Sequence, residues 1–251
     1  MDEFPPPIFE VVFNTTQGAF TIDAVTAWAP PLAARLWRLA RLRYFEGAAF
    51  YRALRASAAQ AFVVQFGYRG DPAIDACWDS RMAVNDTWSV QPPGNRRGYV
   101  SFAMGAEDQT GRNPNCTSPT YCARGFSANL FVNLADNGPR LDSPGFAVLG
   151  AVRGAAGMAV ADRLFAGYGE VAELCPAAAA DPYCVGTGAA CAGVSVGRLL
   201  AEGGRYLRAE KPLLDRVLRV RAAAASSLPQ QAAGGGRTVK LLHRAAASAG
   251  R

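Results

Sequence analysis

The sequence predicts a mainly β fold, a closed barrel or a sandwich, on three observations. Short apolar, β-branched and aromatic runs recur along it, Gly, Pro, Asn and Asp clusters separate them, and only two segments carry apolar residues at helical spacing. The 251 residues can bury a full core, and 50% hydrophobic with 18% charged residues is ordinary globular composition. Residues 8–13 and 19–25 flank Asn14-Thr15-Thr16-Gln17-Gly18 and read as a hairpin. Pro30-Pro31 opens a segment with Leu32, Leu36, Leu39 and Ala40 on one side and Arg35, Arg38 and Arg41 mostly on another. That is an amphipathic helix with proline in its first turn. Strands follow at 49–52, 61–66, 99–104, 130–134 and 146–152, and a second helix over 158–166 places Val160 and Leu164 on one face. A long Ala, Gly and Cys segment, 171–197, precedes a last strand at 213–221 that alternates through Leu214, Arg216, Leu218 and Val220. The folded domain is expected to span 8–222. Residues 223–251 hold too few large apolar side chains to pack and are expected to form a disordered basic tail.

The net charge of +6 is local. Residues 198–251 carry eleven Arg and Lys against Glu202, Glu210 and Asp215, which leaves the first 197 residues slightly acidic. This distribution argues against a nucleic-acid-binding domain, although a basic tail can touch anionic partners. No run of 18 apolar residues occurs, so no membrane span is expected, and the acidic, proline-rich start lacks the pattern of a signal peptide. Six cysteines, Cys77, Cys116, Cys122, Cys175, Cys184 and Cys191, include no C-x-x-C, and the single histidine is His243, so a structural zinc site is not expected. Disulfides are expected instead, with Cys116 to Cys122 the easiest pair because it closes a short loop. Three N-x-[ST] triplets, at Asn14, Asn85 and Asn115, lean with them toward a secretory or other oxidising compartment.

Five blocks between Phe50 and Asp162, and a further stretch that leads to Asp215, carry a resemblance. Phe50-Tyr51-Arg52 followed by Phe62-Val63-Val64-Gln65-Phe66-Gly67 resembles the active-site signature of the cyclophilin-type peptidyl-prolyl isomerases. Gly98-Tyr99-Val100-Ser101-Phe102-Ala103-Met104 and Asn129-Leu130-Phe131-Val132-Asn133-Leu134 resemble two further strands of that family. Leu141-Asp142 through Phe146, and Gly157-Met158 with the helix after it, follow in the family's order. Gly203-Gly204-Arg205-Tyr206-Leu207 resembles the element leading into the closing strand of a bacterial-like subgroup. The resemblance implies a closed antiparallel β-barrel capped by two α-helices. It also implies a monomer that needs no cofactor and no metal and acts on proline-containing peptides or unfolded protein clients.

Carried over residue by residue, the resemblance implies Arg52 as the catalytic cation and Phe62, Val63, Phe131 and Leu141 as a proline pocket. Gln65 would hold the substrate backbone, with Ala103, Met104, Asn129 and Phe146 completing the groove. Asn129 stands where the family usually has Gln, Met104 where it has Asn, Phe146 where many members have His, and Arg140 near its frequent Trp. Nine residues separate Arg52 from Phe62 and 24 separate Met104 from Asn129, both more than the family's usual number. The implied activity is rotation about Xaa-Pro bonds in protein folding. An alternative is a catalytically weak or inactive proline-peptide binding module in which Arg52 is only an ion-pair partner. A remote third reading is a serine hydrolase, since Gly193-Val194-Ser195-Val196-Gly197 matches G-x-S-x-G and Asp215 and His243 follow it.

Overall fold

The structure, a computed structural model, describes residues 4–57, 59–79, 93–104, 126–142, 145–175, 181–186 and 190–225. Among them eight strands form one antiparallel sheet: β1 Ile8–Thr15, β2 Gly18–Val25, β3 Arg52–Arg55, β4 Ala61–Phe66, β5 Tyr99–Met104, β6 Phe126–Asn133, β7 Val148–Val152 and β8 Val217–Ala224. Their order across the sheet is β3-β4-β6-β5-β7-β2-β1-β8. The sheet curls as a half-barrel around one apolar interior. Alternation along β1 shows why, since Phe9, Val11 and Phe13 are fully buried while Glu10, Val12 and Asn14 face outward. Phe13 meets Phe20 at 5.3 Å, Phe45 at 5.6 Å and Phe66 at 5.3 Å between ring centroids, and these rings anchor the core.

The pairing gives a half-barrel and does not establish the closed barrel that was expected. The two ends of the sheet touch at one corner, through residues that precede β3. Gly47 N donates to Val217 O and Val217 N to Ala48 O, each at 2.9 Å, while Phe50 N donates to Asp215 O at 2.9 Å and Ala49 opposes Arg216 in an isolated bridge. The chain then turns away from β8, and β3 pairs only with β4.

Two helices were expected, and six are present among the described residues. Helix α1, Pro30–Arg41, buries Leu32, Ala33, Leu36, Trp37, Leu39 and Ala40 as its spacing predicts. Helices α2, Pro72–Asp79, and α3, Gly138–Leu141, are short. Helix α4, Gly154–Arg163, begins and ends before the predicted 158–166, because the Phe165 amide is drawn out of the helical ladder to donate to Asp215 Oδ2 at 2.7 Å. Helices α5, Val196–Glu202, and α6, Gly204–Glu210, pack a second cluster with Tyr51, Tyr68, Val171 and Leu214. The last strand begins later than predicted, since Leu214 lies in a turn bonded to Lys211 and Leu213 is exposed. It also runs to Ala224, past the expected boundary at 222, because the alanines pair with β1 in register as far as Phe9↔Ala224. No helix among the described residues is long and apolar enough to cross a membrane.

Candidate active site

The site grows from the two-residue period of three neighbouring strands. In β4, Val64 and Phe66 enter the interior and Val63 and Gln65 face the other way; in β6, Leu130 and Val132 point in and Asn129 and Phe131 out. Register then assembles the outer face. Arg52 lies opposite Gln65, Gln65 opposite Phe131, and Phe131 opposite Ser101. Gly67 ends β4 at φ +153°, where an added Cβ would stand 2.6 Å from Ala128 O and 2.5 Å from Asn129 Cα. Glycine there lets the strand end press against β6 beside the site.

An apolar half of this face gathers Leu54, Phe62, Val63, Phe131 and Leu141, with Ala103, Phe146 and Tyr183 packed against them. Phe131 and Phe146 meet edge to face at 5.7 Å. Phe62 has two further neighbours: the Tyr183 ring at 6.3 Å, and the Arg140 guanidinium, from α3, 4.4 Å from its centroid. Phe62, Val63, Phe131 and Leu141 are all 9% exposed or less, so the pocket residues lie under cover.

The polar half is a chain of oriented hydrogen bonds. Arg52 Nη1 donates to Gln65 Oε1 at 3.0 Å, Gln65 Nε2 donates to the Tyr51 hydroxyl at 2.6 Å, and that hydroxyl donates to Asn129 Oδ1 at 3.2 Å. Asn129 Nδ2 donates to Ser127 Oγ at 3.2 Å, and Ser127 Oγ donates to Ala103 O at 3.1 Å. Each amide thus has its oxygen and nitrogen ends assigned by its neighbours. At the head of the chain Glu170 accepts from Arg52 Nε at 2.5 Å and from Nη2 at 2.7 Å, a two-pronged ion pair in which Arg52 is 19% and Glu170 7% exposed.

Nine of the expected site residues therefore lie on or beside one face, while Met104 does not. Its side chain is in the main core, because β5 carries it on the same side as Phe102. Reading the sequence missed Leu54, Glu170 and Tyr183. Leu54 was detectable, being two residues from Arg52 on the same face of β3. Glu170 and Tyr183 come from residues 169–175 and 181–185, where no periodicity points. They are brought together by Glu170 N donating to Tyr183 O at 3.0 Å, by a bridge between Gly169 and Cys184, and by the Cys175–Cys184 disulfide. The expected Cys116 to Cys122 pair lies outside the described residues. The half-buried Ser195 is engaged in a helix cap. Its hydroxyl caps α5 by accepting from Arg198 N at 3.2 Å and donates to Glu173 at 2.8 Å, while Asp215 is bonded to Thr16, Gln17 and Phe165.

No protein-family model matches this chain, and no curated protein matches it in sequence. Solved structures do match. The Mimivirus cyclophilin superposes with a TM-score of 0.50 at 12% identity, over 90% of this chain and 95% of that one. A cyclophilin-type peptidyl-prolyl cis-trans isomerase of Cryptosporidium parvum matches over 87% of this chain and 99% of its own, at 10% identity and a TM-score of 0.49. A cyclophilin from Hirschia baltica matches at 14% identity and a TM-score of 0.43, over 90% of this chain and 79% of that one. The chain has a divergent cyclophilin-type fold, with its candidate site on the outer face of β3, β4, β5 and β6.

Proposed function

We propose that this protein is a peptidyl-prolyl cis-trans isomerase that acts on Xaa-Pro bonds in peptides and unfolded chains without a cofactor. The observation that carries the reading is the meeting, on one sheet face, of a guanidinium bonded to Gln65 with an apolar cluster of Leu54, Phe62, Val63, Phe131 and Leu141. Rotation about the Xaa-Pro bond faces a barrier of about 20 kcal/mol, because the amide C–N bond has partial double-bond character. An apolar cluster formed by Phe62, Val63, Phe131 and Leu141 would hold the prolyl ring. Arg52 would then direct an N–H at the prolyl nitrogen, whose lone pair localises as the amide twists, and so favour the twisted state over the planar one. Three of the five guanidinium N–H groups are engaged by Glu170 and Gln65, and the remaining two, one on each Nη, have no partner among the described residues. Gln65 and Asn129 would bind the peptide backbone. A barrel that closes through the Ala49 and Arg216 corner, working as a monomer, is part of the same reading.

A second reading, a binding module with little turnover, is favoured by one observation: Glu170 already neutralises the cation. An exchange assay on an Ala-Pro peptide decides between them. Turnover in the wild type that falls strongly in Arg52→Ala supports the isomerase. Peptide binding without turnover supports the module.

A further inference from the structure

The Arg52 to Glu170 contact is longer-range than anything else in the polar chain. It joins β3 to a segment 118 residues away, and that segment is braced at three points. Glu170 Oε1 also accepts from Val171 N at 2.8 Å, which fixes the carboxylate from its own backbone. The Gly169 to Cys184 bridge and the Cys175–Cys184 disulfide tie the segment to itself. Gly193 presses against it from the other side, so closely that a Cβ there would stand 1.9 Å from Glu170 O. A carboxylate held this firmly acts as a fixed receiver for a mobile side chain. An arginine on a flexible stem samples many rotamers, whereas one bonded along its Nε and Nη2 edge and again at Nη1 has its plane set before a substrate arrives.

We propose that Glu170 is the positioning residue for Arg52: the braced carboxylate sets the plane of the guanidinium and leaves its two unengaged N–H groups as the only ones a substrate can meet. The proposal rests on the isomerase reading above for its consequence in turnover, and on geometry alone for the orientation of Arg52. Neutralisation acts against it, because a carboxylate on one edge weakens the cation's field. It does not remove the dipoles of the two N–H groups that Glu170 and Gln65 leave unengaged, one on each Nη, which are what a developing lone pair would meet.

The test is a double-mutant cycle of wild type, Glu170→Ala, Arg52→Ala and the pair, with kcat and KM measured on an Ala-Pro peptide and scaled to the folded fraction. The Arg52 Nε–H resonance is followed by NMR in the wild type, in Glu170→Ala and in Glu170→Gln. We expect Glu170→Ala to lower kcat about tenfold with KM little changed, and to have no further effect once Arg52 is alanine. The slowly exchanging Nε–H of the wild type should become fast-exchanging in both Glu170 variants, with Gln restoring part of kcat at most. An equal loss of kcat from Glu170→Ala with and without Arg52 would make Glu170 merely structural. A rise in kcat would make it a neutralising latch, and an unchanged Nε–H would mean that it does not order Arg52. Each of these overturns the proposal. Should the wild type lack turnover, the isomerase reading falls, and the Nε–H exchange still decides whether Glu170 holds the guanidinium.

Discussion

A guanidinium gripped by a carboxylate on one edge and an amide oxygen on the other gives Arg52→Ala two consequences that must be separated. The first is chemical: removing a donor aimed at the twisted amide should cut turnover by about a hundredfold or more. The second is structural, since Glu170 is only 7% exposed and would lose two of its three hydrogen bonds. Leaving a buried carboxylate short of partners costs about 1–3 kcal/mol, so the single variant should melt below the wild type. Arg52→Ala with Glu170→Ala should recover stability without recovering turnover. Gln65→Ala should cost less activity than Arg52→Ala, because it removes an orienting contact and leaves the cation. A separate residue, Asp75, makes a pH-dependent contribution that can be checked by itself. Burial raises its pKa above 3.8, outweighing the bonds it accepts from the Arg69 and Gly70 amides and the Tyr44 hydroxyl. A raised folded value means that the native state binds the proton more tightly than the unfolded chain. The stability from this group is therefore full below the unfolded value and is lost as pH rises through the folded one. Denaturation of wild type and Asp75→Asn across that window should show the wild type losing ground to the variant as pH rises. A constant or opposite difference would mean that the hydrogen bonds, not burial, dominate at Asp75.

At the scale of elements, residues 169–175 and 181–185 change what the outer face of the sheet presents. Phe62 is the residue a prolyl ring would reach, yet Tyr183 and Arg140 already lie against it. A substrate must displace that cover, and apparent affinity falls by the fraction of molecules in which the pocket is uncovered. We expect Tyr183→Ala to lower KM for an Ala-Pro peptide by roughly several-fold with kcat little changed, since fewer contacts need breaking. A rise in KM would instead make Tyr183 a wall that holds the ring. What could be read from the sequence follows the same division. Site residues on strands were legible through the family resemblance, and the two-residue period explains why Val63 and Gln65 share one face while Val64 and Phe66 take the other. At Met104 the resemblance located the backbone, which stays on the strand beside the site, while the side chain turns into the core. Glu170 and Tyr183 were invisible because a loop braced by a disulfide and a backbone bridge obeys no period, and its ends are far apart in sequence from Arg52 and Phe62. The helices α5 and α6 were missed where Gly203 and Gly204 interrupt their apolar spacing.

For the whole molecule, β8 runs to Ala224, past the point at which composition alone places the end of the folded unit. The alanines at 222–224 look like the beginning of low complexity, but they pair with Val11, Glu10 and Phe9, and Ala225 N donates to Ile8 O at 3.1 Å. They are therefore the outer edge of the strand that covers β1, whose Phe9, Val11 and Phe13 supply much of the core. Backbone pairing asks nothing of side-chain size, which is why a run of small residues can finish a strand that packing alone would not hold. Three chains compared by thermal unfolding separate these effects: the full chain, residues 1–225 and residues 1–221. We expect 1–225 to unfold at the temperature of the full chain. The 1–221 chain should unfold several degrees lower, because three register pairs and the Ala225 bond are gone at about 1 kcal/mol for each hydrogen bond lost. The site should respond less than the stability does, since the chain next to Arg52 meets Asp215–Val217 at the start of β8, whereas the residues removed pair with Phe9–Val11 at its other end. Equal melting of 1–221 and 1–225 would put the boundary back at 222. Loss of stability in 1–225 would mean that residues after 225 contribute to the fold.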